Sequence, residues 1–270
     1  MISRFLLLLT MISFSFVAVA QTADEVIAKY EAAAGGREKL EGIRYLEVNS
    51  NLGMSMMGRT IDLPLTMVKE KGKLFRRQLG GIMGMGDSFT MITDTAGYIF
   101  IPAMRGFGDM QGTEAITSRI PDADVAAQQY ELDCAGAFGD LVNYAAKGHK
   151  AELVGTEKVS KVPCFKIKLT LKTGQVVYYY IDSQTSLVKQ MEASGEMAAN
   201  MSGFGSMMKS FGRNVKKDEK ATLFVKEYKD INGIKYPGKY ILSFGPIESE
   251  VENMAIKINE GLDEKWYHVK

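Results

Sequence analysis

The sequence predicts a mainly β protein with a few helices (α+β), built as one curved antiparallel sheet with helices against one face and the other face solvated. Two observations predict this fold. Apolar and polar residues alternate with a period of two in about ten segments, and helical patterns occur only at the start and once in the middle of the chain. About ten strands with one apolar face each bury that face by curling, and a curled sheet of this size encloses an apolar cavity.

The first helices and strands are predicted from hydrophobic periodicity and from the residues that end a helix. Residues 24–34 place Val26, Ile27 and Tyr30 on one face of a helix that Gly35-Gly36 ends, and a short helical turn is expected at 38–41. From residue 44 the period changes to two. The apolar side of the first strand carries Leu46, Val48, Ser50, Leu52, Met54 and Met56, and that of the second carries Ile61, Leu63, Leu65 and Met67.

The rest of the chain continues as strands with one helical interruption. Residues 122–134 and 138–146 are expected to form two helices, and Asn232-Gly233 predicts a tight hairpin. No linker or fixed-period repeat divides the chain, so we expect a single domain at 21–270, with a Met/Gly-rich insertion at about 193–214. The further strands are predicted at 73–78, 88–93, 98–102, 165–172, 175–181, 186–192, 223–229, 234–243 and 248–258.

Residues 1–20 have the pattern of a cleaved signal peptide. Arg4 precedes an apolar run that begins at Phe5, and Ala18-Val19-Ala20 has the small-x-small form of a cleavage site. An N-terminal membrane anchor is the alternative, which the shortness of the run and the lack of a basic flank disfavour. Cleavage removes one of 33 basic residues and none of 32 acidic ones, which predicts a neutral, soluble protein in the periplasm.

Composition and motifs argue against several functions. The formal net charge of +1 leaves no surplus of basic residues for nucleic acid, and two histidines disfavour a His-rich metal site. The sequence has no Gly-x-Ser-x-Gly elbow, His-Glu-x-x-His helix or phosphate-binding glycine loop. His149 and His268 are expected to be solvated surface residues. We therefore expect no catalytic residues, no bound metal and no cofactor.

Cys134 and Cys164 allow two interpretations. In an oxidising compartment they could form a disulfide, and closing a loop of about 30 residues would contribute roughly 3.5 kcal/mol in the chain-entropy model. The alternative is a pair of buried free thiols. Neither cysteine has a histidine nearby in sequence or a Cys-x-x-Cys partner, which disfavours a nucleophilic role.

Several short segments together resemble the periplasmic outer-membrane lipoprotein carriers and lipoprotein-sorting proteins, the LolA-like family. They span nearly all of the chain after residue 20. The segments are GGREKL at 35–40, KLFR at 73–76, Ile92-x-Asp94 followed by Tyr98 and Pro102, KG at 147–148 leading into ELVG at 152–155, FKIKLTL at 165–171, YYID at 179–182, KDINGIKYP at 229–237 and INEGLD at 258–263.

The resemblance implies a fold and a role. Members of that family fold as an incomplete antiparallel β-barrel, a curved sheet with a helical lid over an apolar cavity, and they hold lipoprotein acyl chains while carrying them across the periplasm. It implies acyl chains of lipoproteins or related lipids as ligands, and an inner-membrane release complex and an outer-membrane acceptor as partners. We expect a soluble monomer. For the arginine that classical carriers use inside the cavity, Arg76 lies beside the matching segment, and Arg59 and Arg77 are alternatives.

The acyl-chain pocket is expected on the apolar side of the first sheet region. The candidate lining residues are Leu46, Val48, Leu52, Met54, Met56, Leu63, Leu65, Met67, Arg76, Met83, Met85, Phe89, Met91, Tyr98 and Phe100.

The unusual number of methionines, 17, allows three interpretations. Their flexible thioether side chains can line an adaptable acyl-chain pocket. They can equally be ordinary core residues, or the pairs Met54-x-Met56 and Met83-x-Met85 can be thioether ligands for Cu(I). Glycines among them predict flaps at 80–86 and 195–212 that gate the cavity.

Overall fold

The computed structural model describes residues 21–56, 59–81, 86–103, 112–203, 205–210 and 212–269, without the side chains of residues 56, 206, 207 and 210. The expected signal peptide at 1–20 lies outside the described residues. The strands are β1 (Tyr45–Met56), β2 (Arg59–Glu70), β3 (Leu74–Leu79), β4 (Ser88–Thr93), β5 (Gly97–Ile101), β6 (Ile116–Arg119), β7 (Lys150–Val159), β8 (Val162–Thr170), β9 (Val176–Asp182), β10 (Val188–Ser194), β11 (Lys220–Ile231), β12 (Ile234–Phe244) and β13 (Ile247–Ile258).

All of these strands belong to one antiparallel sheet. Its order is β6-β5-β4-β3-β2-β1-β13-β12-β11-β10-β9-β8-β7, so two meanders join where β1 pairs with β13. Within the described residues, β6 and β7 are the two edges and do not pair with each other. The sheet is therefore an unclosed barrel, which confirms the predicted fold class.

Helices lie at the start of the chain and in two later segments. They are α1 (Ala23–Ala34), α2 (Arg37–Glu41), α3 (Asp122–Ala127), α4 (Gly195–Ser202) and α5 (Gly205–Ser210), with short 3₁₀ segments at Gln129–Leu132, Gly139–Leu141 and Glu264–Tyr267. Thr22 begins α1 through a capping box, in which its hydroxyl accepts from the Glu25 amide at 3.2 Å and the Glu25 carboxylate accepts from the Thr22 amide. Gly35 ends α1 with φ of 134°.

The face of the sheet that bears Leu46 and Val48 is called the inner face here. The largest cluster of buried side chains lies on it, where α1 and α2 pack against residues of β1 and of β8–β12. Asn232 and Gly233 both have positive φ, 54° and 80°, as the predicted hairpin between β11 and β12 requires. These contacts leave the middle of the inner face uncovered.

The opposite, outer face is not solvated throughout. At β2–β4 the C-terminal segment lies over it, and Trp266 is buried among Val68, Leu74 and Met91. The hydroxyl of Tyr267 donates to the Glu70 carboxylate at 2.7 Å and fixes this segment. The expectation that one face of the sheet is solvated is therefore wrong at this end.

The two helices expected at 122–134 and 138–146 are mostly absent. Only Asp122–Ala127 is α-helical, and the remainder consists of the two 3₁₀ segments Gln129–Leu132 and Gly139–Leu141 joined by turns and irregular backbone. Gly136 and Asn143 take positive φ, 82° and 49°, and the Asp133 carboxylate accepts from the Ala135 amide at 2.9 Å. These local conformations end each helical run before it can extend.

Cys134 and Cys164 are both buried free thiols, so the disulfide alternative is not realised. Cys134 belongs to the inner-face cluster, whereas Cys164 packs with Val159 and Tyr180 in a separate cluster. Burial raises the pKa of the Cys134 thiol to about 11, which leaves it protonated and unreactive at neutral pH.

His149 is buried rather than solvated as expected from its basic surroundings in sequence. Its Nδ1 accepts a hydrogen bond from the Lys172 amide at 3.1 Å. Burial, followed by the charges of Lys147 and Lys172, lowers the pKa of the imidazole. His149 is a structural residue of the turn that precedes β7.

Candidate functional site

The uncovered part of the inner face is a cavity with a volume of about 230 Å³. Inward-facing side chains of β1–β5 and β9–β13 form its wall, and α4 borders it with Met197 and Met201. Most of the wall is apolar. The term apolar wall is used here for Leu52, Leu65, Leu79, Leu242 and Phe244.

The predicted faces of β1 and β2 match the observed ones. Val48, Leu52, Leu65 and Met67 line the cavity, while Leu46 lies in the core cluster. Leu63 and Met54 are on the same face and pack in a neighbouring cluster with Leu52, Ile61 and Val251. The strict alternation along two long paired strands fixes this arrangement.

The arginine inside the cavity is Arg77, not Arg76. Arg77 is opposite Met67 in the β2–β3 register, and both residues line the cavity. Its Nη1 donates to the carbonyl of Asn200 at 3.1 Å, and its guanidinium carbon lies 5.3 Å from the Phe75 ring centroid. Arg77 therefore connects β3 to the C-terminal part of α4.

Arg76 is on the outer face and is buried there. Its guanidinium carbon lies 3.7 Å from the centroid of the Phe89 ring, and its Nη1 donates to the His268 carbonyl at 2.6 Å. Burial lowers the pKa of this guanidinium. The assignment of Arg76 to the pocket is wrong because neighbouring residues of a strand point to opposite faces.

In β4 and β5 too, the predicted lining residues are one position away from the residues that face the cavity. Met91 packs in the outer-face cluster, and Tyr98, its cross-strand partner, is on the same face. Phe89 and Phe100 border the cavity, but their rings stack on each other with centroids 5.3 Å apart in the outer-face cluster. The inward-facing residues of these strands that line the cavity are Ser88, Thr90, Ile99 and Ile101.

Three of the methionines proposed as site residues cannot be placed. Met83 and Met85, and the side chain of Met56, lie outside the described residues, so the two Met-x-Met pairs stay predictions for either role. Among the described residues, no three His, Cys, Asp or Glu side chains are grouped so that they could hold a metal ion.

Charged residues line the cavity where β2 ends. The term polar end is used here for Lys69, Tyr130, Glu131, Asp133 and Asp140, which line the cavity together. Lys69 Nζ lies 3.3 Å from the Glu131 carboxylate and donates to the Asp133 carbonyl at 3.2 Å. Sequence reasoning missed this group because its members come from β2 and from residues in or next to the 3₁₀ segments, which have no regular periodicity.

The two aspartates of the polar end differ in ionisation. Burial works against the charged form of Asp133, but its ion pair with Lys147 and the Ala135 amide outweigh burial and lower its pKa. Asp140 has no such partner among the described residues. Burial, followed by the negative charge of Asp133, raises the pKa of Asp140 to about 7. Asp140 is therefore partly protonated near neutral pH.

No protein-family model matches the sequence, and no curated protein is significantly similar to it. None of the helices in the described residues is both long and apolar enough to cross a membrane.

Solved structures are similar in fold. A LolA superfamily protein from Nitrosomonas europaea is 12% identical and has a TM-score of 0.54, over 92% of this chain and 98% of the other. A DUF1329 family protein from Desulfovibrio piger is also 12% identical with a TM-score of 0.54, over 90% of this chain and 97% of the other. This protein therefore shares its fold with a LolA superfamily protein, which confirms at the level of the fold the resemblance carried by its sequence segments.

Proposed function

We propose that this protein is a non-catalytic periplasmic carrier that shelters acyl chains of lipoproteins or related lipids in its cavity. In this proposal residues 1–20 are the cleaved export signal, and residues 21–270 form one domain in which the 193–214 segment is the lid. An inner-membrane complex would load the carrier, and an outer-membrane acceptor would receive the cargo. The observation that carries the proposal is a cavity with an apolar wall on the inner face of a LolA-like half-barrel.

The size of the cavity suits part of an acyl chain. At about 30 Å³ for each water-sized group, 230 Å³ accommodates roughly seven or eight methylenes. Burying a methylene contributes about 0.8 kcal/mol, so the gain is about 6 kcal/mol, which corresponds to sub-millimolar binding for one chain. Additional chains, or opening of the wall, would strengthen the binding while still allowing release.

In this proposal the lid controls access to the cavity. Met197 and Met201 of α4 are buried against the sheet, and α4 is connected to β3 by the hydrogen bond from Arg77 to Asn200. Methionine side chains repack around ligands of different shape at small cost. Movement of α4 would therefore enlarge the cavity without breaking a strand pairing.

The experiment compares two neighbouring residues of β12 that point to opposite faces. Leu242 belongs to the apolar wall, and Ile241 is on the outer face; both are partly exposed. We expect Leu242→Trp to reduce uptake of a synthetic diacylated lipopeptide at least tenfold, because the indole fills the cavity. Ile241→Trp, the matched control, should bind as the wild type does. Equal uptake by both variants, or no uptake by the wild-type protein, would contradict the proposal.

A further inference from the structure

Tyrosine hydroxyl groups surround the cavity. Tyr179 and Tyr236 line it and are 1% and 5% exposed. The hydroxyl of Tyr130, in the polar end, is buried and makes no hydrogen bond of normal geometry with the described residues. Leaving a buried hydroxyl unsatisfied costs about 1–3 kcal/mol, so such groups are normally paired.

Asp140 adds a carboxyl group that also has no hydrogen bond or ion pair among the described residues. It faces the cavity, and the Tyr179 hydroxyl is close enough to be affected by its charge. The other charged groups that act on Asp140 are Asp133, Lys69, Glu131 and Lys147, from β2 and from the segments around the 3₁₀ turns. Of these, Lys69 lines the cavity with the three carboxyl groups, and Lys147 acts on Asp140 without lining the cavity.

We propose that the polar end binds the hydrogen-bond-donating, non-anionic headgroup of an amphiphile, an amine or a hydroxyl, while the tail lies along the apolar wall. The inference rests on the proposed function and specifies the class of ligand. A hydroxyl or ammonium group donates to the Asp140 carboxylate, and a hydroxyl also accepts from Tyr179 and Tyr130, so Asp140 and Tyr130 gain partners that they lack among the described residues.

An anionic headgroup does not fit this end of the cavity. A carboxylate or phosphate placed beside an ionised Asp140 would add a fourth negative charge at an end of the cavity whose lining ammonium group is Lys69. Arg77 lines the same cavity and acts on Tyr130 of the polar end and on Tyr240, but it is not among the groups that act on Asp140. Its guanidinium donates to the carbonyl of Asn200, so Asp140 is the part of the polar end that disfavours an anion.

The test uses amphiphiles with the same tail and different headgroups. Dodecylamine, dodecanol and dodecanoate would compete with the fluorescent apolar probe N-phenyl-1-naphthylamine for the mature protein at pH 8. We expect the amine and the alcohol to bind at least tenfold more tightly than dodecanoate. Dodecanoate binding as tightly as the other two would overturn the headgroup inference and leave the proposed function standing. Failure of every amphiphile to displace the probe would contradict both the headgroup inference and the proposed function.

Two variants test the residues of the proposed headgroup site. Asp140→Asn should reduce the preference for dodecylamine over dodecanoate about tenfold, and Tyr179→Phe should weaken the binding of dodecanol at least threefold. Asp122→Asn removes an exposed carboxyl group outside the cavity and should behave as the wild type does. An unchanged amine preference in Asp140→Asn, with circular dichroism showing an intact fold, would overturn the assignment of Asp140.

Discussion

Replacing Asp140 with asparagine is expected to stabilise the protein at pH 8 and to leave its stability almost unchanged at pH 4. The pKa of this carboxyl group is about 7 in the folded protein, whereas the ordinary value, taken for the unfolded chain, is 3.8. Between these two pH values the unfolded chain has lost a proton that the folded chain still holds. The free energy of unfolding of the wild type therefore falls as pH rises, by about 1.4 kcal/mol for each unit.

The size of the effect follows from the difference between the two pKa values. The difference of slightly more than three pKa units corresponds to about 4 kcal/mol of stability. The wild-type protein has lost all of this stability only above pH 7. Asparagine cannot ionise, so Asp140→Asn keeps this free energy at pH 8. The difference between variant and wild type should grow from near zero at pH 4 to about 4 kcal/mol at pH 8.

Urea denaturation at pH 4, 5, 6, 7 and 8 measures this difference directly, and contributions from other titrating groups cancel between the two proteins. The control is Asp122→Asn, which removes an exposed carboxyl group paired with Arg119 and should change the free energy of unfolding by less than about 1 kcal/mol at every pH. A difference between Asp140→Asn and wild type that does not change with pH would refute the reasoning.

Three further predictions concern the rest of the fold. Trp266→Ala should destabilise the protein by about 3–5 kcal/mol in urea denaturation, because it removes the indole from the outer-face cluster. Glu264→Ala changes an exposed neighbour and should have little effect. Similar losses of stability in both variants would contradict the account. Cys134 and Cys164 should react with a thiol reagent only after denaturation, and intact mass under non-reducing conditions should show two thiols; a mass lower by two hydrogens would contradict this. Thr22→Ala should cost about 1 kcal/mol through loss of the α1 cap, and an unchanged thermal midpoint would show that the cap does not contribute.

The inner faces of β1 and β2 could be predicted from sequence, but those of β3–β5 could not. Along β1 and β2 apolar and polar residues alternate, so only one register buries the apolar side. In β4 both faces carry large apolar residues, Ile92 inward and Met91 outward. Because the C-terminal segment covers the outer face there, alternation no longer tells which side faces the cavity, and the choice of Arg76 over Arg77 fails for the same reason.

The polar end had no sequence signal at all. Lys69 and Asp140 are 71 positions apart, and only the path of the chain through the 3₁₀ turns brings both to the cavity. The helical periodicity of the 122–146 region suggested two regular helices, whereas Gly136 and Asn143 divide it into short turns. Glycine and asparagine at positive φ thus decide the position of Asp140, and their conformations are not visible in a hydrophobic pattern.

The location of a bound acyl chain tests the central claim most directly. The measurement is a set of intermolecular nuclear Overhauser effects between an unlabelled dodecyl chain and methyl-labelled leucine and valine residues of the protein. We predict contacts to the methyl groups of Leu65, Leu79 and Leu242, which belong to the apolar wall. Contacts only to Val68 and Leu74 of the outer-face cluster, or no contacts at saturating ligand, would contradict the account.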